Sequence, residues 1–160
     1  MARNVRVFEC PPEAVFDVFR DGWLFPVWVV GASRMRALDR SWPAEGARIH
    51  HSFGSWPFLI DDTTSMLEWD PPYRMRIQAR GWPLGEAQVE LTVEPHRRGC
   101  KVTIRENPSK GPGTLVPGFV MQPMLFLRNI ETLRRLGLVG SEMCIRDRGA
   151  EVVVWVCRSL

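Results

Sequence analysis

Polar and apolar residues alternate from residue 4 to residue 10, with Val5, Val7 and Glu9 on one side and Arg6, Phe8 and Cys10 on the other. That is the period of a β-strand. Pro11 and Pro12 close the run, and the period then changes: Val15, Phe16 and Phe19 share one face of a short helix that proline opens and that stops near Gly22. Trp23, Leu24, Phe25, Trp28 and Val29 follow in a second brief helical or irregular segment, too apolar to face water throughout and expected to cap a core. Six strand-like runs come next, at 33–39, 47–53, 58–69, 73–80, 86–94 and 101–106, separated by glycine- and proline-bearing turns such as Gly54-Ser55, Pro71-Pro72 and Arg98-Gly99. Links this short join antiparallel neighbours, because a parallel crossover takes about a dozen residues or more. The expected sheet is a meander.

The run 86–94 shows its two faces best, Ala87, Val89, Leu91 and Val93 alternating with Glu86, Gln88, Glu90, Thr92 and Glu94. One face of the sheet is therefore buried and the other wet. Beyond a loop at 108–113, a last helix is predicted near 116–136, with Phe119, Met121 or Gln122, Phe126, Ile130, Leu133 and Leu136 toward the sheet, opposed by Arg128, Glu131, Arg134 and Arg135. Pro117 and Pro123 call for a late start or a kink. The predicted fold is α+β: a curved seven-stranded antiparallel sheet around a long C-terminal helix, with two short helices after the first strand. One helix does not fill such a concavity, so an apolar pocket is expected between sheet and helix, with the short-helix aromatics at its mouth.

At 160 residues the chain is long enough for one real core. A net charge of +3, carried by arginines scattered singly or in pairs, forms no stripe of the kind nucleic-acid binding requires. No run reaches the roughly eighteen apolar residues of a membrane helix, and the N-terminus lacks the apolar segment of a secretory signal, so a cytoplasmic protein is expected. Cys10, Cys100, Cys144 and Cys157 have no metal-ligand spacing, and reduced thiols are expected. No catalytic triad order, glycine-rich phosphate loop, or cofactor or metal motif is found, and neither cofactor nor metal is predicted. Residues 138–147, LVGSEMCIRD, resemble the translation of a sequencing-library adaptor rather than any natural motif. The reading is a domain over 1–137 followed by a non-native adaptor-derived tail over 138–160.

The order of elements, together with PPEAVFDVFRDGWLFPVWVVGASRMR, WPAEGARIHHSFGSWP, DTTSMLEWDPP and the closing RENPSKGP and RNIETLRRL, resembles bacterial members of the START/Bet v 1-like superfamily (SRPBCC), in its polyketide cyclase/dehydrase and lipid-transport branch. The resemblance runs from about Val5 to Leu136 and implies a helix-grip fold. It fixes no single activity, because this fold hosts carriers, sensors, cyclases and hydrolases. Family members continue the last helix for another turn or more where this chain enters the adaptor-like run.

His50 and His51 are adjacent on a strand and point to opposite faces; taking Ile49 and Phe53 as inward makes His51 the inward one, a candidate to hold a polar ligand group or act as acid or base. Glu106 shares parity with Val102 and Ile104, and Asp62 with Phe58, Ile60 and Met66, so both carboxylates are expected inside. His51, Arg76 or a ligand hydroxyl are the partners considered for Glu106. Each of the three also has a structural reading: a backbone-bonded histidine, a rim salt bridge, an acid pinning a bulge. Trp28, Trp56 and Met124 supply candidate apolar lining. The function expected is binding of a hydrophobic small molecule, a lipid, polyketide or aromatic metabolite, in an internal cavity, without nucleic-acid partner or stable membrane insertion. The alternative is a polyketide cyclase/dehydratase-type enzyme using a cavity His and carboxylate as acid and base.

Overall fold

Seven strands form one antiparallel sheet in the computed structural model, which describes residues 2–54, 57, 59–81, 85–111 and 118–158. The strands are β1 (Ala2–Phe8), β2 (Ala32–Leu38), β3 (Arg48–Phe53), β4 (Ile60–Asp70), β5 (Arg74–Gly81), β6 (Gly85–His96) and β7 (Gly99–Lys110). Their spatial order is β1-β7-β6-β5-β4-β3-β2. Strands β2 to β7 are the expected meander; β1 joins it by pairing with β7, Phe8 opposite Cys100. The last strand runs four residues past the expected end at Glu106 and takes in Pro108. Proline is tolerated there because the β6–β7 register shifts between Glu86 and Ala87, next to the point where a ladder hydrogen bond would be lost.

Two short helices and one long one cover the concave face: α1 (Pro12–Arg20), α2 (Phe25–Trp28) after a 3₁₀ turn at Gly22–Leu24, and α3 (Gly118–Arg158). Pro12 opens α1, where its missing N–H costs nothing, and Asp21 stops it and caps the 3₁₀ turn by accepting from the Trp23 backbone N–H at 3.1 Å. Val15, Phe16, Val18 and Phe19 are buried from α1, each contributing about 1.5–3 kcal/mol of apolar burial. Their rings continue into a chain of aromatic contacts, Phe16 with Phe19 at 5.3 Å, Phe19 with Trp28 at 5.4 Å and Phe25 with Trp28 at 5.5 Å. Helix-grip architecture, as the sequence predicts, is what results.

The face that α3 turns to the sheet differs from the expected one. Leu133 and Leu136 are buried as expected, but the rest of the buried row is Leu125, Asn129 and Thr132, while Phe126 and Ile130 are exposed. The reason is that the apolar residues of α3 spread well beyond one stripe, Phe126 and Ile130 flanking the buried row and Leu127 behind it, so hydrophobic periodicity does not select the buried face. Arg128, expected outward, is half-buried and reaches the sheet. Phe119 and Met121 fall outside the described side chains. The helix continues without interruption through the adaptor-like run to Arg158, and Val139, Met143 and Cys144 pack partly buried on the core.

Candidate functional site

Side-chain alternation along β3 and β4 builds one of two polar clusters in the interior. Ile49 and His51 face in, and His50 faces out, its Nε2 3.5 Å from Asp39 Oδ1. On the neighbouring strand Asp62 is directly opposite His51 and faces in, while Asp61 faces out and accepts from Ser52 Oγ at 2.8 Å. The His51 ring stacks against Phe25 at 5.1 Å, and its Nε2 lies 3.0 Å from Thr64 Oγ1. Asp62 Oδ1 accepts from the Thr63 backbone N–H at 2.6 Å. That leaves Asp62 Oδ2 buried with no partner in the structure, and His51 Nδ1 buried with no well-formed hydrogen bond, only the Ser52 backbone beside the ring favouring its proton. Burial pushes the His51 pKa down and the Asp62 pKa up, so both side chains are driven toward their neutral forms.

Glu106 is buried at the far side of the sheet. Its carboxylate pairs with Arg128 and accepts weakly from Asn129 Nδ2 at 3.4 Å, both from α3. Neither of the two protein partners considered from the sequence, His51 and Arg76, is used. His51 sits on β3, four strands away from β7, which is about 19 Å along the sheet at the usual strand spacing. Arg76 is engaged on the other face, with Nε 3.2 Å from Glu68 Oε2. Two residues that sequence reasoning missed complete this second cluster: Asn4, whose Nδ2 donates to the Phe126 carbonyl at 3.1 Å, and Asn129 itself. A signal for Asn129 existed, since it falls in the same helical row as Leu125, Leu133 and Leu136.

Trp28 is buried and lines the interior, Met124 is 57% exposed on the outer side of α3, and Trp56 lies outside the described residues. The expected open pocket is also revised. One cavity among the described residues is about 10 Å³, lined by Phe19, Phe25, Trp28, Ile49, Met75 and Ile77 among others. That is room for about one water. The short-helix aromatics, expected at a mouth, lie inside: Phe16, Phe19, Phe25 and Trp28 are all buried in the core. Among the described residues no group of three or more His, Cys, Asp or Glu side chains is placed to hold a metal ion, and no helix is long and apolar enough to cross a membrane.

Solved structures share this architecture. Protein NE0264 from Nitrosomonas europaea superposes with a TM-score of 0.67 at 15% identity, covering 88% of this chain and 93% of that one. A Rhodobacter sphaeroides protein gives 0.67 at 20% identity, over 88% and 91% of the two chains. The di-domain ARO/CYC StfQ from the steffimycin biosynthetic pathway gives 0.68 at 10% identity, over 88% of this chain and 50% of that one. At these identities the likeness is one of fold. Comparison with curated proteins gives no match. The family model described as polyketide cyclase/dehydrase and lipid transport matches residues 2–133, which is nearly the whole helix-grip unit, and the chain therefore belongs to that family.

Proposed function

We propose that the chain binds a mainly apolar small molecule, a lipid, polyketide or aromatic metabolite, with one polar group of the guest seated between His51 and Asp62. The observation that carries this reading is the pair of buried atoms without a well-formed hydrogen bond, His51 Nδ1 and Asp62 Oδ2, on residues directly opposite one another beside Phe25. Each such atom costs about 1–3 kcal/mol when left unbonded in the interior, and a guest that bonds both removes that cost. Apolar area buried on the guest adds about 25 cal/mol per Å². Because the cavity beside Phe25 and Trp28 is about 10 Å³, entry of the guest displaces the aromatic cap on α2, the shortest of the three α-helices. The free, buried thiols Cys10 and Cys100 suit a reducing compartment, and cytoplasmic residence is part of the proposal.

A second reading, a cyclase- or dehydratase-type enzyme, is favoured by one feature. His51 and Asp62 have pKa values displaced in opposite directions by the same burial, the pattern of an acid and base set by their surroundings. The fold neighbour described as an ARO/CYC is consistent with that chemistry. Substituting His51→Ala separates the two: a carrier keeps its ligand with a loss of affinity of about ten-fold, whereas an enzyme loses turnover by a factor of about 10² to 10⁴ with ligand still bound. Retention of both full affinity and full turnover overturns both readings of His51.

A further inference from the structure

The cluster at the β1–β7–α3 junction has its own recognition chemistry, and it is one of acceptors. Asn4 Nδ2 donates to a backbone carbonyl and Asn129 Nδ2 to a carboxylate, groups that only accept, so the orientation of both amides is fixed by their partners. Their oxygens, Asn4 Oδ1 and Asn129 Oδ1, are buried with no partner, on side chains 5% and 1% exposed. Asn4 is opposite Ile104 and Ala2 opposite Glu106, which makes Asn4 and Glu106 diagonal neighbours on one face. The charge of Glu106 is balanced by Arg128. What is unmet is therefore a demand for hydrogens without charge.

From this geometry we infer that Asn4 and Asn129 form a second ligand station that takes a neutral hydroxyl-bearing group and rejects a carboxylate; the inference rests on the reading that the interior admits an apolar guest. A hydroxyl supplies the missing donor. A carboxylate offers only acceptors and brings an unbalanced negative charge next to Glu106, and an ammonium brings an unbalanced positive one. Only a neutral donor meets one of these oxygens without burying an ion, one hydrogen for each hydroxyl.

Calorimetric titration of the full chain with two probes of equal chain length, decanol and decanoate at pH 8, tests this. Decanol is expected to bind at least about ten-fold more tightly, the equivalent of one well-made hydrogen bond. Asn129→Leu and, independently, Asn4→Leu are expected to weaken decanol about ten-fold and leave decanoate unchanged. In the unsubstituted chain the side-chain amide resonances of Asn4 and Asn129 are expected to move with decanol and not with decanoate, a readout that stands even where a variant does not fold. Equal binding of the two probes, tighter binding of decanoate, or a preference that survives in a folded variant overturns the inference and leaves the proposed function intact. Absence of binding by both probes overturns the two together.

Discussion

Arg128→Met removes the cation that faces Glu106 while keeping most of the side-chain stem, and its cost can be worked from the pair's surroundings. The Glu106 side chain is 4% exposed and that of Arg128 is 32% exposed. Leaving a fully buried carboxylate without its partner costs about 3–5 kcal/mol, and a fully exposed pair contributes about 0–1 kcal/mol. Water that reaches the arginine places this case between them, at about 2–3 kcal/mol, because the Asn129 amide still offers one long hydrogen bond. At about 2–4 °C per kcal/mol for a chain of this size, the melting temperature falls by about 4–12 °C. Thermal melts followed by circular dichroism on Arg128→Met, Glu106→Gln and the double variant close a double-mutant cycle. The double variant should recover most of the loss, giving a coupling of about 2 kcal/mol. A coupling below about 0.5 kcal/mol, within the usual error of additivity, refutes the view that this pair is an interior one pinning α3 to the sheet.

Asp62 is held above its ordinary pKa by burial, so the folded chain gives up that proton later than the unfolded chain does, and stability declines as pH rises from about 3.9 through the raised value. Asp62→Asn should therefore melt higher than the parent at pH 7, with the gain vanishing by about pH 3; a gain that persists unchanged at low pH contradicts the assignment. His51 is displaced the other way, so the parent should lose stability as pH falls below about 6.5, where the unfolded chain binds a proton that folded His51 refuses, and His51→Ala should lack that loss. We also propose that the domain proper ends at 137. Among the described side chains, a chain terminated there gives up the partly buried Val139, Met143 and Cys144 and the close seating of Gly140 near Cys10, about 1–3 kcal/mol of apolar contact, and should still unfold in one cooperative transition; a chain over 1–137 without native circular dichroism contradicts that boundary.

What could be read from the sequence followed from strict local geometry. Side chains on a strand alternate, so inward-facing Ile49, Ile104 and Met66 carry His51, Glu106 and Asp62 inward with them, and all three are buried. Helical geometry is less decisive when apolar residues spread beyond one stripe: Phe126 and Ile130 look as suited to a core as Leu125 and Leu133, and the polar Asn129 and Thr132 in the buried row disguise it. The partners of Glu106 were illegible because they depend on how α3 is laid across β1 and β7, a tertiary fact with no local signature. Fullness of the interior was illegible for a related reason. Whether Phe25 and Trp28 rim a hollow or plug it depends on how far α2 dips toward β3, and in this structure it dips far enough for Phe25 to stack on His51.

The exposed apolar face of α3, with Leu127 at 67% exposure, contributes to the polar clusters only the Phe126 backbone carbonyl. Interior polarity is the feature that ties this fold to a guest. Native mass spectrometry of the full chain, purified without detergent from cells that make it, tests that tie most directly. The account predicts a second species heavier by one small molecule, which Asp62→Leu depletes together with His51→Ala. A single species at the mass of the bare polypeptide contradicts it.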